Sequence, residues 1–221
     1  MRAVIFDLDG TLIDSAPDLH AVANAVLEGA GGGQITLAQA RSFVGNGAAV
    51  FVERMMAAVG LPPDPALHAR LHAQFLERYD SAVNLSALYP GVRETLDRLS
   101  DTGFRLAVCT NKPSRPAAAV LRHFGLVELF EVIVGGDSLP VAKPDPKPLL
   151  HAARQLGACD YLYVGDSEVD AETARRAGAA MALYTEGYRK TPVEALFHHY
   201  AFSDFTVLPE IVEGHFAQSP A

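Results

Sequence analysis

Four apolar runs of three or four residues punctuate this chain: Ala3–Phe6, Leu106–Cys109, Val132–Val134 and Tyr161–Val164, with Met181–Tyr184 as a fifth. Runs this short and unbroken, flanked by Gly and polar residues, suit strands covered on both faces, the condition of a parallel sheet. Helical spacing fills the gaps. Val92, Thr95, Leu96 and Leu99 mark one helical face, Ala117, Val120, Leu121 and Phe124 another, and Leu149, Leu150, Ala153 and Leu156 a third. The third follows KPDPKP (143–148), whose prolines predict a non-helical lead-in. Alternating strand and helix from residue 88 onward predicts a doubly wound, Rossmann-like α/β core.

One interval breaks the rhythm. About a hundred residues separate Phe6 from Leu106, far more than a single crossover between parallel strands needs. Most of it reads as helical. Ser15-Ala-Pro-Asp18 has the shape of a capping box with an early proline, followed by Leu19, Val22, Val26 and Leu27 on one face. Val50–Val59 predicts a second helix, and Leu67, Leu71, Phe75 and Tyr79, at steps of four, a third. Residues 29–34 (GAGGGQ) read as a flexible connector. The expectation is a core of residues 1–14 and 84–221, with a helical-bundle cap, 15–83, inserted after the first strand.

Composition limits the partners. The net charge of −8 argues against non-specific binding to nucleic acid or an anionic membrane, and no apolar run approaches the roughly 20 residues of a membrane span. Two cysteines, Cys109 and Cys159, offer no disulfide framework. A cytoplasmic protein, monomeric or a small homo-oligomer, is expected.

The strand ends carry the chemistry. VIFDLDGTLID (4–14) delivers Asp7 and Asp9 to the tip of the first run, the second ends in Thr110-Asn111-Lys112, and the fourth enters VGDSEVD, with Asp166 at its tip and Asp170 four residues on. Lys143 sits in a loop between them. Open parallel sheets bind ligands at the carboxyl ends of their strands, so one pocket collects these residues. Two unit charges about 4 Å apart repel by about 4 kcal/mol at an effective dielectric of 20, so four carboxylates need protons or a hard cation. Oxygen donors without His or Cys favour Mg²⁺, and Mg²⁺ favours phosphate oxygens. The Thr110 hydroxyl, the Lys143 ammonium and backbone amides near Gly10 and Asn111 would hold that phosphate. Asp7 is placed to attack phosphorus, and Asp9 to move the leaving-group proton.

DLDGT at 7–11, Thr110-Asn111, Lys143 and GDSEVD at 165–170 resemble the four motifs of the haloacid dehalogenase superfamily, in order. The helical insertion resembles its C1 cap. RSFVGNGAAVFVERMM at 41–56 is similar to the cap segment of bacterial phosphoglycolate phosphatases, whereas GYRKTP at 187–192 departs from many relatives. The resemblance implies Mg²⁺-dependent hydrolysis of a small phosphate monoester, 2-phosphoglycolate first among the candidates. Asp7 would be the nucleophile and Asp9 the acid/base. The ion would be held by the Asp7 carboxylate, the Asp9 main-chain oxygen and Asp166, with Asp170 behind them. A β-phosphoglucomutase-like mutase, a pyrophosphatase, a broad sugar or nucleotide phosphatase, or a receiver-like phospho-acceptor module would share much of this pattern.

Outside the motifs, Arg41, Gly45 and Asn46 are candidates for reading the leaving group, with Arg41 and Arg54 the available cations in that segment. His68 and His72 have ligand spacing but no third partner, and read as a solvated helix flank. Cys109 reads as a buried strand residue.

Overall fold

The computed structural model describes residues 2–218. Strands β1 (Arg2–Phe6), β4 (Arg105–Cys109), β5 (Val132–Val134), β6 (Asp160–Gly165), β7 (Ala180–Tyr184) and β8 (Tyr200–Phe202) form one parallel sheet in the order β5-β4-β1-β6-β7-β8. A short antiparallel pair, β2 (Ile13–Asp14) and β3 (Ala87–Leu88), lies where the chain leaves and re-enters this core.

The first strand shows why the runs are unbroken. Val4 and Phe6 pack into one hydrophobic cluster, Ala3 and Ile5 into another, one on each face of the sheet. Helices α5 (Val92–Asp101), α6 (Ser114–His123) and α9 (Leu208–Gln218) cover the first face. Helices α7 (Lys147–Gln155) and α8 (Glu168–Ala177) cover the second. The chain runs from β1 outward to β4 and β5, then returns to the other side of β1 as β6. Strand order therefore reverses around β1, and the crevice of a doubly wound sheet opens there.

Between β2 and β3 the chain forms α1 (Ala16–Gly29), α2 (Leu37–Phe43), α3 (Ala48–Ala58) and α4 (Pro65–Tyr79). They enclose a hydrophobic cluster of their own, including Leu27, Phe51, Met55, Leu71 and Phe75. Three helices are expected here and four form. The extra one, α2, is capped reciprocally by Thr36 and Gln39, a signal too short to show periodicity. The GAGGGQ connector leads into a fixed point, since the Ile35 amide donates to Asn24 Oδ1 at 2.8 Å.

Other expectations need correction. The capping box at Ser15–Asp18 does not form: Ser15 has αR backbone angles instead of the extended ones a cap requires, and its hydroxyl has no hydrogen-bond partner among the described residues. Asp18 instead accepts from the Leu85 and Ser86 amides and the Ser86 hydroxyl, at 2.6–3.2 Å. The KPDPKP stretch is not wholly outside its helix. Helix α7 starts at Lys147 with Pro148 in its first turn, where a missing N–H costs nothing. Strand β8, the β2–β3 pair and helix α9 lie beyond the predicted elements.

Candidate active site

Strand register brings the motif residues together. Phe6 pairs with Val108 on one side and Val164 on the other, so Asp7, Thr110 and Asp166 emerge within a residue of the same level. The Asp7 amide extends the ladder by donating to Val164 O at 2.8 Å. Asp7, Thr110, Asn111, Lys143, Asp166 and Asp170 are all buried.

Around Lys143 the polar groups interlock. Its Nζ donates to Asp170 Oδ1 at 2.6 Å and Tyr163 Oη at 2.9 Å, and lies 3.0 Å from Asp7 Oδ1. Burial opposes its charge, but Asp170 and Asp7 hold the ammonium protonated above the usual lysine range. Asp170 has every lone pair engaged. Its Oδ1 also accepts from Tyr163, and its Oδ2 accepts from the Asp166 and Ser167 amides and, at 2.5 Å, the Ser167 hydroxyl. The Asp170 amide donates back to Ser167 Oγ at 3.3 Å, which with the Ser167 amide bond completes a capping box for α8. Burial pushes Asp170 upward, yet Lys143 and these donors hold its carboxyl below the ordinary range. Asp170 thus works as the fixed counter-ion that aims Lys143.

The other two carboxylates are electrostatically unsatisfied. Burial, then the charge of Asp170, pushes Asp7 up to about 7 against the pull of Lys143. Asp166 is raised for the same first reason, with Asp170 and Asp7 adding to it. Thr11 Oγ1 donates to Asp166 Oδ1 at 2.7 Å and the Tyr188 amide to its Oδ2 at 2.6 Å. Asp7 Oδ1 has the Lys143 charge nearby but, among the described residues, no hydrogen bond of acceptable direction. Oxygens of Asp7, Asp166 and Asp170 lie within 4.8 Å of one another. Fully ionised, the three carboxylates and one ammonium would carry two net negative charges, which one divalent cation would balance. The orphaned Asp7 oxygen and the all-oxygen donor set fit such an ion.

Asp9 has a separate partner. Lys112 Nζ donates to its Oδ1 at 2.9 Å, while Tyr79 Oη, from α4, donates to its Oδ2 at 3.5 Å and also bonds Lys112 Nζ. Lys112 lies 4.2 Å from the Tyr79 ring centroid. Sequence reading places Lys112 at a strand tip and Tyr79 on a helix but gives neither a role in the site. Tyr79 ends an apolar stripe and passes for packing, and Lys112 carries no periodic signal.

The expected donors divide by position. Thr110 lines the cavity, and its hydroxyl accepts from the Lys112 amide at 3.2 Å. The Asn111 side chain bridges Lys143 N and O at 2.9 Å each and reaches Gly45 O at 2.9 Å, so it ties the core loops to the helical insertion. The Gly10 amide is taken by Ile13 O at 2.8 Å and offers nothing to a ligand. What Gly10 supplies is room: at φ +91°, a Cβ there would stand 2.5 Å from Asp166 Oδ2.

A small cavity of about 30 Å³ opens between these residues and the helical insertion, lined by Asp7, Asp9, Thr110 and Lys112 below and by Phe51 and Phe75 above. Gly45 lines it; Arg41 and Asn46 do not. Arg41 Nη2 donates to Asp14 Oδ2 at 2.6 Å, and Asn46 accepts from Arg54 Nη2 at 2.9 Å. Within GYRKTP, Tyr188 Oη donates to Asp14 Oδ1 at 2.7 Å and accepts from the Ala16 amide at 3.0 Å. His68 bonds Ala49 O at 2.9 Å and stacks on His72. Cys109 is buried, and desolvation pushes its thiol up to about 12.

Comparison with known proteins agrees with this geometry. Residues 1–178 match the family of haloacid dehalogenase-like hydrolases. A phosphoglycolate phosphatase of Rhodobacter capsulatus is 49% identical over 212 residues, covering 96% of this chain and 97% of that one. One from Rhodospirillum rubrum is 41% identical over 215 residues, covering 94% and 89%. Among solved structures, a predicted phosphoglycolate phosphatase from Haemophilus somnus superposes with a TM-score of 0.89 at 34% identity, over 95% of this chain and 96% of that one. With its sheet, motif residues and relatives in accord, the chain belongs to the haloacid dehalogenase-like hydrolases.

Proposed function

We propose that this chain is a Mg²⁺-dependent phosphate monoesterase acting on 2-phosphoglycolate, with residues 15–83 as a cap over a core of residues 1–14 and 84–221. The observation that carries the chemistry is the Asp7 carboxylate, buried at the switch point with one oxygen lacking a hydrogen bond among the described residues and oxygens of Asp166 and Asp170 within 4.8 Å. The substrate is carried by the likeness over nearly the whole chain to proteins named for that activity.

An Asp7 oxygen attacks phosphorus as the ester P–O bond breaks, giving phospho-Asp7 and an alkoxide that takes a proton from Asp9. Asp9 then accepts a proton from water, whose oxygen attacks phosphorus and releases phosphate from Asp7. Lys143, aimed by Asp170, and the Thr110 hydroxyl hold the phosphoryl oxygens. Asp7, Asp166 and the Asp9 main-chain oxygen would hold the ion, which would offset the charge of carboxylates and phosphate together. Phe51 and Phe75, which line the cavity, would limit the access of bulk water to the phosphoryl group.

Phosphate release from 2-phosphoglycolate, sugar phosphates, nucleotides and pyrophosphate, with and without EDTA, tests the reading. Preferred, EDTA-sensitive release from 2-phosphoglycolate is expected. Metal-dependent release from the others alone would overturn the substrate, and a long-lived phospho-Asp7 without turnover would overturn hydrolysis.

A further inference from the structure

We propose that Lys112, seconded by the Tyr79 hydroxyl, is the carboxylate-reading pair of this pocket and selects phosphate esters of small hydroxy acids over neutral esters. The inference rests on the phosphoglycolate reading above and names the residues that enforce it.

Two buried lysines meet at the site, and they are committed differently. Lys143 hydrogen-bonds Asp170 and Tyr163, has its third N–H beside the Asp7 carboxylate at 3.0 Å, and is not among the residues that line the cavity. Lys112 hydrogen-bonds Asp9 and Tyr79 among the described residues, which leaves one of its three donors for a further acceptor. Lys112 is also the one cationic side chain among the described residues that line the cavity.

Its surroundings make it a reader of charge. The facing wall is Leu19, Phe51 and Phe75, so an ammonium there acts through a medium of low dielectric and few competing polar groups. A neutral leaving group gains little beside it, whereas a carboxylate gains a charge-assisted hydrogen bond. The arginines that sequence offered for this task are engaged elsewhere, Arg41 with Asp14 and Arg54 with Asn46 and the Phe43 carbonyl. Lys112 comes from the loop after β4 and Tyr79 from the last residue of α4, so a carboxylate held by both would bridge core and helical insertion.

The test compares kcat/KM for 2-phosphoglycolate and for 2-hydroxyethyl phosphate, which replaces the carboxylate by a hydroxymethyl group. Lys112→Gln should lower the ratio of the two values by about 10- to 100-fold, with the loss in KM for phosphoglycolate. Lys112→Arg should retain most of the ratio, and Tyr79→Phe should lower it several-fold. If both substrates fall together in Lys112→Gln and the ratio holds, the residue serves Asp9 alone and the proposal is wrong. A wild-type enzyme without preference for phosphoglycolate would instead overturn the substrate reading itself. Should Lys112→Gln not fold, wild-type hydrolysis of 2-hydroxyethyl phosphate provides the second arm: glycolate should inhibit it more strongly than glycolamide, and equal inhibition refutes the pair.

Discussion

Lys143 and Asp170 show how one residue in this site positions another. The pair is almost wholly excluded from water, with side chains 1% and 0% exposed. Removing one charge from such a pair strands the other, at a cost of about 3–5 kcal/mol. Lys143→Met is therefore expected to lower unfolding free energy by that order in urea titration, and to abolish turnover. A loss below about 1 kcal/mol would mean that Asp170 takes up a proton cheaply. Asp7→Asn should behave in the opposite way: it removes a carboxylate that burial and Asp170 already disfavour. We expect at least about 10³-fold lower kcat with undiminished thermal stability. Residual turnover near wild type would remove Asp7 from the nucleophile's role.

At the scale of elements, the informative features are the crossings between the core and the helical insertion. The chain leaves through β2 and returns through β3, and side chains fix both passages. Asp18, in the first turn of α1, gathers the amides of Leu85 and Ser86, while Asp14 receives Tyr188 from the loop after β7 and Arg41 from α2. Tyr188 also donates its amide to Asp166, so one residue touches both the carboxylate cluster and the crossing. Asp18→Ala should cost about 1–3 kcal/mol in chemical denaturation, because its donors lose a charged acceptor. A cost under about 0.5 kcal/mol would mean that Asp18 serves only the helix dipole.

The whole molecule carries the electrostatic consequence of its site. In the native state Asp7 holds its proton up to about 7, and Asp166 is raised as well, whereas an unfolded carboxyl releases its proton near 4. Between those values the native chain binds more protons than the unfolded one, so stability falls as pH rises. Asp170, depressed, contributes in the other sense: its stabilisation is present above the unfolded value and lost on acidification below it. The metal-free protein should thus melt at progressively lower temperature from about pH 4.5 to 7, and added Mg²⁺ should remove that decline. A flat melting profile in EDTA would show that the cluster does not hold protons. Among the described residues, no helix is long and apolar enough to cross a membrane.

Local chemistry made much of this legible from sequence. Five sheet strands were readable because strands buried on both faces must be continuously apolar, as Ala3–Phe6 and Tyr161–Val164 are. The carboxylates stood at strand tips, where the chain itself must turn. What sequence could not supply were relations between distant segments. Strand β8 is three residues long, with one of them exposed, so its pairing with β7 sets its conformation more than its own pattern does. Ser15 and Asp18 look like a cap by spacing, yet the returning chain at Leu85–Ser86 captures Asp18 first. Tyr79 and Lys112 lie 33 positions apart, one reading as packing and the other as a strand-end residue without a role. The sequence alone determined the chemistry at the strand tips, because residue type and strand end are local facts. Only the tertiary structure decided which lysine stands between Asp7 and Asp170 and which lines the cavity wall, because that depends on which distant groups burial forces together.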